Sequence, residues 1–278
     1  MWDWRQWNSH KQRLVTGLSM AIPVLILLAF GPYWSWCLLL GLAAGVGLWE
    51  YQRMVLPSEL PQHWRFGYIL LGLVFPSAAA MGGATGLHSA LVFCLFAGFL
   101  TLLFFSPQDS QGIAKLSRLS LGWLYIPYLL SYVLLIGQAD QGRPWIFFTL
   151  IVIVASDAGA FYTGKRLGQH KLYERVSPKK TLEGSAGGLL ASLLFGTLFG
   201  ILFIGTASIG EFLFLSGFLA IVGQLGDLVE SLMKRLYGKK DSSNLLPGHG
   251  GLLDRLDSLF FAFPATWFFL QWLDQGLP

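Results

Sequence analysis

The sequence predicts an all-α integral membrane protein with about nine transmembrane helices, a cytoplasmic N-terminus and a C-terminus outside. Three observations predict this class. Hydrophobic residues make up 54% of the 278 residues and charged residues only 12%, whereas about 25% is usual in a soluble domain. The apolar residues form long runs without charge, and the basic residues lie almost entirely between alternate runs. An ordinary soluble fold is therefore excluded.

The longest uncharged runs, Leu14–Trp49 and Phe66–Gln108, contain 36 and 43 residues. A helix needs about 20 apolar residues to cross a bilayer core, so each run is predicted to contain two spans. Gly31-Pro32 and the glycine-rich segment 82–86 supply the turn-forming residues between them. The predicted spans are 14–30, 33–49, 66–83, 88–105, 119–137, 144–163, 185–205, 209–233 and 258–273.

The basic residues predict the orientation. With nine spans, 18 of the 19 Lys and Arg residues share the side that holds the N-terminus, and only Arg143 lies on the other side. Cytoplasmic loops carry an excess of Lys and Arg, so the rich side is predicted to be cytoplasmic. The net charge of +4 is then explained by topology, and no nucleic-acid partner is predicted.

Polar residues divide the chain into an N-terminal multi-span region, residues 1–140, and a C-terminal region, residues 141–278, that carries the chemical motifs. The two halves lack the matching broken helices that are typical of secondary transporters. Local unwinding of span eight near Gly223–Gly226 is left open.

Three acids fall inside predicted spans and away from their ends, namely Asp157, Asp227 and Glu230. An acid at a helix centre costs about 3 kcal/mol on insertion scales, so such residues are functional or paired. Asp227, Glu230 and Lys234 share one helical face. For Glu230 the alternative is a simple ion pair with Lys234.

The loops after spans six and eight mix bases, acids and glycines, and both are predicted to be cytoplasmic. Carboxylates hold Mg²⁺, Lys and Arg neutralise phosphate, and glycines let backbone N–H groups approach an anion. The mixture therefore predicts phosphate-transfer chemistry. Gly184–Gly188 favours either anion binding at a helix N-terminus or close helix packing. His249 is interpreted either as a hydrogen-bond donor to a phosphate or to the transition state, or as a turn residue.

The second loop resembles a known signature. Residues 231–258 read SLMKRLYGKKDSSNLLPGHGGLLDRLDS, which is similar to the signature of the phosphatidate cytidylyltransferases (CDP-diglyceride synthases). The segments Ser156-Asp157-x-Gly159-Ala160, 177–184 and Gly223-Gln224-x-Gly226-Asp227 also resemble family motifs. The resemblance covers residues 150–260 closely, and the N-terminal half agrees only in having many spans.

The resemblance implies that phosphatidic acid and CTP give CDP-diacylglycerol and pyrophosphate with Mg²⁺, in phospholipid biosynthesis. It implies a bacterial-type plasma (inner) membrane, with the active site at its cytoplasmic face. The lipid phosphate would attack the α-phosphorus of CTP in line, without a covalent enzyme intermediate. A second, monovalent cation and a homodimer are left open.

Roles are assigned on this basis. Asp227 and Asp254 are the leading Mg²⁺ ligands, with Asp257 and Asp157 as further candidates. Lys234 and Arg235 are candidates for the lipid phosphate. The candidates for the CTP triphosphate are Lys179, Lys180, Lys239, Lys240 and Arg255. The residues assigned a catalytic role are Asp227, Asp254, Lys240, His249 and Arg255. Further substrate-binding candidates are Ser177, Thr181, Gly250 and Gly251.

Three alternatives are weighed. A CTP-dependent lipid-alcohol kinase would release CDP instead of pyrophosphate. A CDP-alcohol phosphotransferase is disfavoured because its motif of spaced acids is absent. A transporter or channel using Asp157, Asp227 and Glu230 as a relay would explain the buried acids, but not the basic, glycine-rich loops on one face.

Overall fold

The structure, a computed structural model, describes residues 9–56, 61–105, 111–246 and 250–274, with side chains described from residue 17 onward. It is almost entirely helical, which confirms the predicted all-α class. The elements are α1 (Ser9–Phe30), α2 (Tyr33–Val55), α3 (Gln62–Gly72), α4 (Val74–Phe105), α5 (Gly112–Trp123), a π-helical turn (Leu124–Tyr128), α6 (Tyr132–Gln138), α7 (Gly142–Leu167), β1 (Lys171–Tyr173), β2 (Ser177–Thr181), α8 (Leu182–Phe203), α9 (Ile209–Leu236) and α10 (Leu253–Asp274).

Helical structure covers every predicted span. Within the described residues, five helical stretches are long and apolar enough to cross a membrane, and Gly17–Phe30 forms a shorter apolar helix. The nine-span count and the sides of the two termini stay predictions. The five stretches are Gln62–Phe105, Gly112–Gln138, Gly142–Leu167, Leu182–Phe203 and Ile209–Leu236.

The chain reverses inside α4, at Gly83. Its φ of 57° and ψ of −144° interrupt the helix, in a backbone region that is essentially restricted to glycine. A Cβ on Gly86 would lie 2.2 Å from the carbonyl oxygen of Ala78, although residues eight apart in a straight helix are separated by about 12 Å. The Cys94 thiol also contacts the carbonyl of Leu71 at 3.5 Å. The two predicted spans on either side of segment 82–86 therefore form a hairpin.

The fifth predicted span is not one regular helix. Pro127 lies within the π-helical turn between α5 and α6. Proline lacks the N–H that an α-helix needs, so regular α-helical hydrogen bonding is interrupted there. The Ser131 hydroxyl donates to the Pro127 carbonyl at 2.6 Å and satisfies an acceptor in the distorted turn. The sequence analysis did not anticipate this break.

The structure divides into two compact units, and the first contains residues 1–134 together with 239–255. Its core includes the fully buried side chains of Leu48 and Phe75. Polar tips of large aromatic residues satisfy backbone carbonyls there: the Tyr51 hydroxyl donates to Arg118 O at 2.9 Å. The Trp123 indole likewise donates to Tyr68 O at 3.0 Å. The described part of the loop after α9 thus belongs to the unit of the N-terminal helices.

The second unit contains residues 135–238 and 256–278. Small residues bring α7 and α8 close together: a Cβ on Gly159 would lie 2.6 Å from the carbonyl oxygen of Gly187, and one on Gly188 would lie 2.6 Å from that of Ser156. The side chain of Thr181, the residue before α8, accepts from Gly184 N at 3.1 Å. The close-packing interpretation of Gly184–Gly188 is confirmed.

Helix α9 is continuous from Ile209 to Leu236, so the unwinding considered for span eight is wrong. The glycines have another purpose: a Cβ on Gly226 would lie 2.7 Å from the Asp257 carbonyl. At the other end of α9, Ser208 and Glu211 form a reciprocal capping box, which satisfies two otherwise unpaired N–H groups and begins the helix.

Candidate active site

A β-hairpin that the sequence analysis did not predict follows α7. Strands β1 and β2 pair antiparallel, with Lys171 opposite Thr181. Glu183, in the first turn of α8, accepts from Gln169 N at 3.0 Å and contacts His170 Nδ1 at 2.6 Å. These contacts fix the entry to the hairpin. Because side chains alternate along a strand, Lys179 is exposed whereas Lys180 is only partly exposed.

Lys180 forms an ion pair with Asp227. Its ammonium lies 2.5 Å from Asp227 Oδ2, and the two side chains are 25% and 30% exposed. The other oxygen of Asp227 contacts the Ser231 hydroxyl at 3.4 Å, one turn further along α9. The strand and the helix therefore present one cation and one anion side by side; both side chains are partly exposed, but the Lys180 ammonium itself is buried against the carboxylate.

This ion pair lines a cavity of about 450 Å³ within the second unit. Asp157 and Lys165 from α7 also line the cavity, as does Lys179 from β2. The cavity is therefore bordered by two acids and several bases, and a polyanion bound with a cation would meet charges of both signs. The polar and charged lining residues are Asp157, Lys165, Lys179, Lys180, Thr181, Ser185, Gln224 and Asp227.

Gln224 connects three helices beside the cavity. Its side-chain oxygen accepts a short hydrogen bond from the Ser185 hydroxyl. Its amide nitrogen lies 3.3 Å from Ser156 Oγ and 3.2 Å from the Ser185 carbonyl. Gln224 was part of a quoted motif without a role, and these contacts show that it joins α7, α8 and α9 three residues before Asp227.

A second charged group lies toward the end of α9. Lys234 and Glu230 are both buried, and their charged atoms are 3.4 Å apart, so the intrahelical ion pair considered for Glu230 is confirmed. The charged neighbours of the Asp257 carboxylate include Asp227, Glu230 and Lys234. Lys234 therefore interacts with carboxylates inside the second unit. Its role in binding the lipid phosphate stays a prediction.

The first unit holds the glycine-rich loop from Lys239 to Leu252. Three donors converge on Asp254 Oδ2: Ser242 N at 2.9 Å, Ser242 Oγ at 2.9 Å and Gly251 N at 2.8 Å. Gly250 has a φ of 79°, which favours glycine. A Cβ on Gly251 would lie 1.9 Å from Ser242 Oγ, so a side chain would open the loop.

The remaining predicted residues are distributed over both units. Lys239 donates to Arg53 O at 3.1 Å, and Lys240 and Arg255 are exposed. Arg235 donates to Val176 O at 3.4 Å. Ser177 begins β2 and pairs with Tyr173. His249 lies outside the described residues, and its role stays a prediction.

Over the described ranges, no three His, Cys, Asp or Glu side chains form a cluster that could hold a metal ion. Mg²⁺ is nevertheless commonly bound through one or two carboxylates together with substrate phosphates and waters. Asp227 has a carboxylate neighbour in Asp257, so the donor chemistry of the second unit fits such an ion.

The residue that sequence reasoning missed most clearly is Glu50. It lies one residue beyond the second predicted span and was not counted among the membrane acids. Helix α2 continues to Val55, however, and Glu50 is fully buried. An acid directly after a long apolar run was the available signal.

The apolar helices and the charged cavity define the class of a membrane enzyme that handles phosphate groups. Comparison with known proteins identifies the family. A model of the cytidylyltransferase family matches residues 11–273, and the chain therefore belongs to that family. It is a nucleotidyltransferase, which sets aside the transport alternative.

Two named relatives are similar to this chain over nearly its full length, and a third over about half. The phosphatidate cytidylyltransferase of Bacillus subtilis (strain 168) is 36% identical over 263 residues, which cover 94% of this chain and 97% of the relative. The phosphatidate cytidylyltransferase of Thermotoga maritima is 29% identical over 269 residues, covering 95% and 97%. That of Staphylococcus saprophyticus is 41% identical over 135 residues, about half of each chain. The suspected family is confirmed.

Proposed function

We propose that this enzyme transfers the cytidylyl group of CTP to phosphatidic acid, giving CDP-diacylglycerol and pyrophosphate in phospholipid biosynthesis. The observation that carries the proposal is the similarity to the Bacillus subtilis phosphatidate cytidylyltransferase over 94% of the chain. The chain also covers 97% of that relative.

The cavity beside Lys180 and Asp227 suits the nucleotide. Lys165, Lys179 and Lys180 supply positive charge to its wall, and a triphosphate needs such charge as it leaves water. Gln224 and Ser185 also line the cavity, and their hydrogen bonds connect three helices. Such contacts would help to keep bound phosphates in one orientation, which is the main requirement of phosphoryl and nucleotidyl transfer.

The reaction needs no base to create the nucleophile, because the phosphate of phosphatidic acid is already anionic at neutral pH. An oxygen of that phosphate forms a bond to the α-phosphorus of CTP. The bond from the α-phosphorus to the bridging oxygen breaks, and pyrophosphate leaves with that oxygen. The lysines of the cavity, Lys180 among them, stabilise the charge that moves onto pyrophosphate.

Asp227 and Asp257 would hold a Mg²⁺ ion, with Asp157 as a further candidate ligand; Asp254, assigned as a leading ligand from the resemblance, belongs to the first unit, and its role in metal binding stays a prediction. Such an ion would neutralise part of the phosphate charge. The ion pair with Lys180 holds the Asp227 carboxylate at the wall of the cavity.

We place the reaction at the cytoplasmic end of the helices, in a bacterial-type plasma membrane. The acyl chains of the substrate stay in the bilayer while CTP arrives from water. The proposal is supported by the five stretches that are apolar enough to cross a membrane and by the 18 of 19 basic residues on the side predicted to be cytoplasmic.

Purified enzyme in mixed micelles of detergent and phosphatidic acid tests the proposal. We expect pyrophosphate release from CTP that requires phosphatidic acid and Mg²⁺ together, with one CDP-diacylglycerol formed for each pyrophosphate. Release of CDP with a polyprenol acceptor, and no pyrophosphate with phosphatidic acid, would instead identify a lipid-alcohol kinase. Omission of either lipid gives the background rate.

A further inference from the structure

Glu50 of α2 is a fully buried acid outside the cavity described above. Moving a carboxylate out of water costs several kcal/mol unless it is paired and hydrogen-bonded. None of the ion pairs between described residues involves Glu50. Its compensation must therefore come from hydrogen bonds.

Four donors surround the Glu50 carboxylate, and all of them belong to the loop before α10 or to its first residue. Oε1 accepts from Ser243 Oγ at 2.5 Å and from Leu252 N at 2.9 Å. Oε2 accepts from Leu253 N at 2.9 Å and lies 3.2 Å from Ser242 Oγ. An ionised carboxylate has about four acceptor sites, so the donors match its capacity.

The two backbone donors explain why an acid is needed. Leu253 is the first residue of α10, and the first N–H groups of a helix have no partner inside it. The helix dipole also places partial positive charge there. A carboxylate satisfies both N–H groups and balances this charge, whereas the amide of glutamine would turn a nitrogen donor toward one of them.

The same contacts reach the acid of the signature. Ser242 Oγ touches Glu50 Oε2 at 3.2 Å and Asp254 Oδ2 at 2.9 Å. Gly251 fits between them, since a Cβ there would lie 2.7 Å from both Glu50 oxygens. Glu50 therefore fixes the loop on one side of Ser242, and Asp254 is fixed on the other side.

We propose that Glu50 is a positioning residue for catalysis, which acts by holding the loop from Ser242 to Leu253 so that Asp254 keeps the orientation it needs for the reaction. The inference rests on the proposed function, because it takes Asp254 to serve cytidylyl transfer.

The test is Glu50→Gln, with Leu48→Ala as the matched control. Leu48 is fully buried in the same helix, so its truncation lowers stability without touching the loop. In Glu50→Gln we expect kcat to fall ten- to hundredfold, the Mg²⁺ concentration for half-maximal rate to rise at least threefold, and the KM for CTP to stay within twofold. Leu48→Ala should keep kcat and the Mg²⁺ dependence of the wild type.

Hydrogen–deuterium exchange of the peptide covering residues 250–256 provides a readout without substrate. Exchange should accelerate in Glu50→Gln and stay unchanged in Leu48→Ala. An inactive wild type would contradict the proposed function, while the exchange comparison would still report on the loop. Unchanged kcat and Mg²⁺ dependence in a folded Glu50→Gln enzyme overturn the inference.

Should Glu50→Gln fail to fold, Ser242→Ala carries the test because it removes only the hydroxyl shared by the two carboxylates. We expect a three- to tenfold loss of kcat together with a raised Mg²⁺ requirement. Wild-type values for both quantities would overturn the inference.

Discussion

Replacing Asp227 by Asn separates a catalytic role of the Lys180–Asp227 pair from a structural one. The change removes one negative charge and keeps the size of the side chain. Lys180 then loses the carboxylate 2.5 Å from its ammonium, and Asp257 loses a like-charged neighbour. Ser231 keeps an oxygen to which it can donate.

The structure limits the cost in stability. The two side chains are 25% and 30% exposed, but Lys180 Nζ is itself buried, so removing the charge of its carboxylate is expected to cost about 1–3 kcal/mol of stability. Loss of a group that stabilises transition-state charge raises the activation free energy by about 2.7–4 kcal/mol, or lowers kcat 10²–10³-fold. A catalytic role therefore predicts a large loss of rate in protein that is still folded, whereas a purely structural role predicts a lower unfolding temperature with the kcat of the folded enzyme unchanged.

The assay is pyrophosphate release at saturating CTP, phosphatidic acid and Mg²⁺, measured beside thermal unfolding in detergent. Glu174→Gln is the control, because Glu174 is an exposed acid in the turn of the same hairpin and does not line the cavity. We expect kcat of Asp227→Asn to fall at least a hundredfold and that of the control to stay within twofold. Asp227→Asn retaining more than a tenth of the wild-type kcat at saturating Mg²⁺ would refute the reasoning.

Two further predictions concern the packing that supports the site. Gly187→Ala should destabilise the protein by about 1–3 kcal/mol, because its Cβ would lie 2.2 Å from Thr163 Oγ1. The control is Gly210→Ala, whose Cβ would meet only Ser208 Oγ at 3.9 Å. Its unfolding temperature should be unchanged or raised. Gly83→Ala should cost about 1–3 kcal/mol, because φ is 57° and ψ is −144° at the reversal, and equal unfolding temperatures for this variant and the wild type would contradict the hairpin described for α4.

Much of the helical framework follows from local sequence, because the apolar runs are long and their turns contain Gly31-Pro32 and Gly83. The exceptions depend on single residues whose effect needs three dimensions. Pro127 breaks the fifth span by removing one N–H, which a hydropathy pattern does not register. Gly223 and Gly226 suggested an unwound segment from sequence alone. In the structure the helix is unbroken, and the two glycines allow neighbouring helices to pack closely against it.

The site was predictable in composition and less so in pairing. Asp227 was singled out because it is an acid inside a predicted span, and its partner Lys180 comes from a strand 47 positions earlier in the chain. Such pairing depends on the β-hairpin. Its strands have only three and five residues, which is too short for the two-residue alternation of a strand to be recognised in the sequence. Glu50 was overlooked because its partners are about 200 residues distant, and no local pattern reports a contact at that separation.

That separation has a consequence for how the chain is made. Glu50 and its partner Leu252 are 202 residues apart, and synthesis at about 5–20 residues per second places roughly 10–40 s between them. During this interval α2 carries an acid whose hydrogen-bond donors do not yet exist. The nascent helices before α7 must therefore keep Glu50 hydrated or shielded until the segment that buries it, about 200 residues later, has been made.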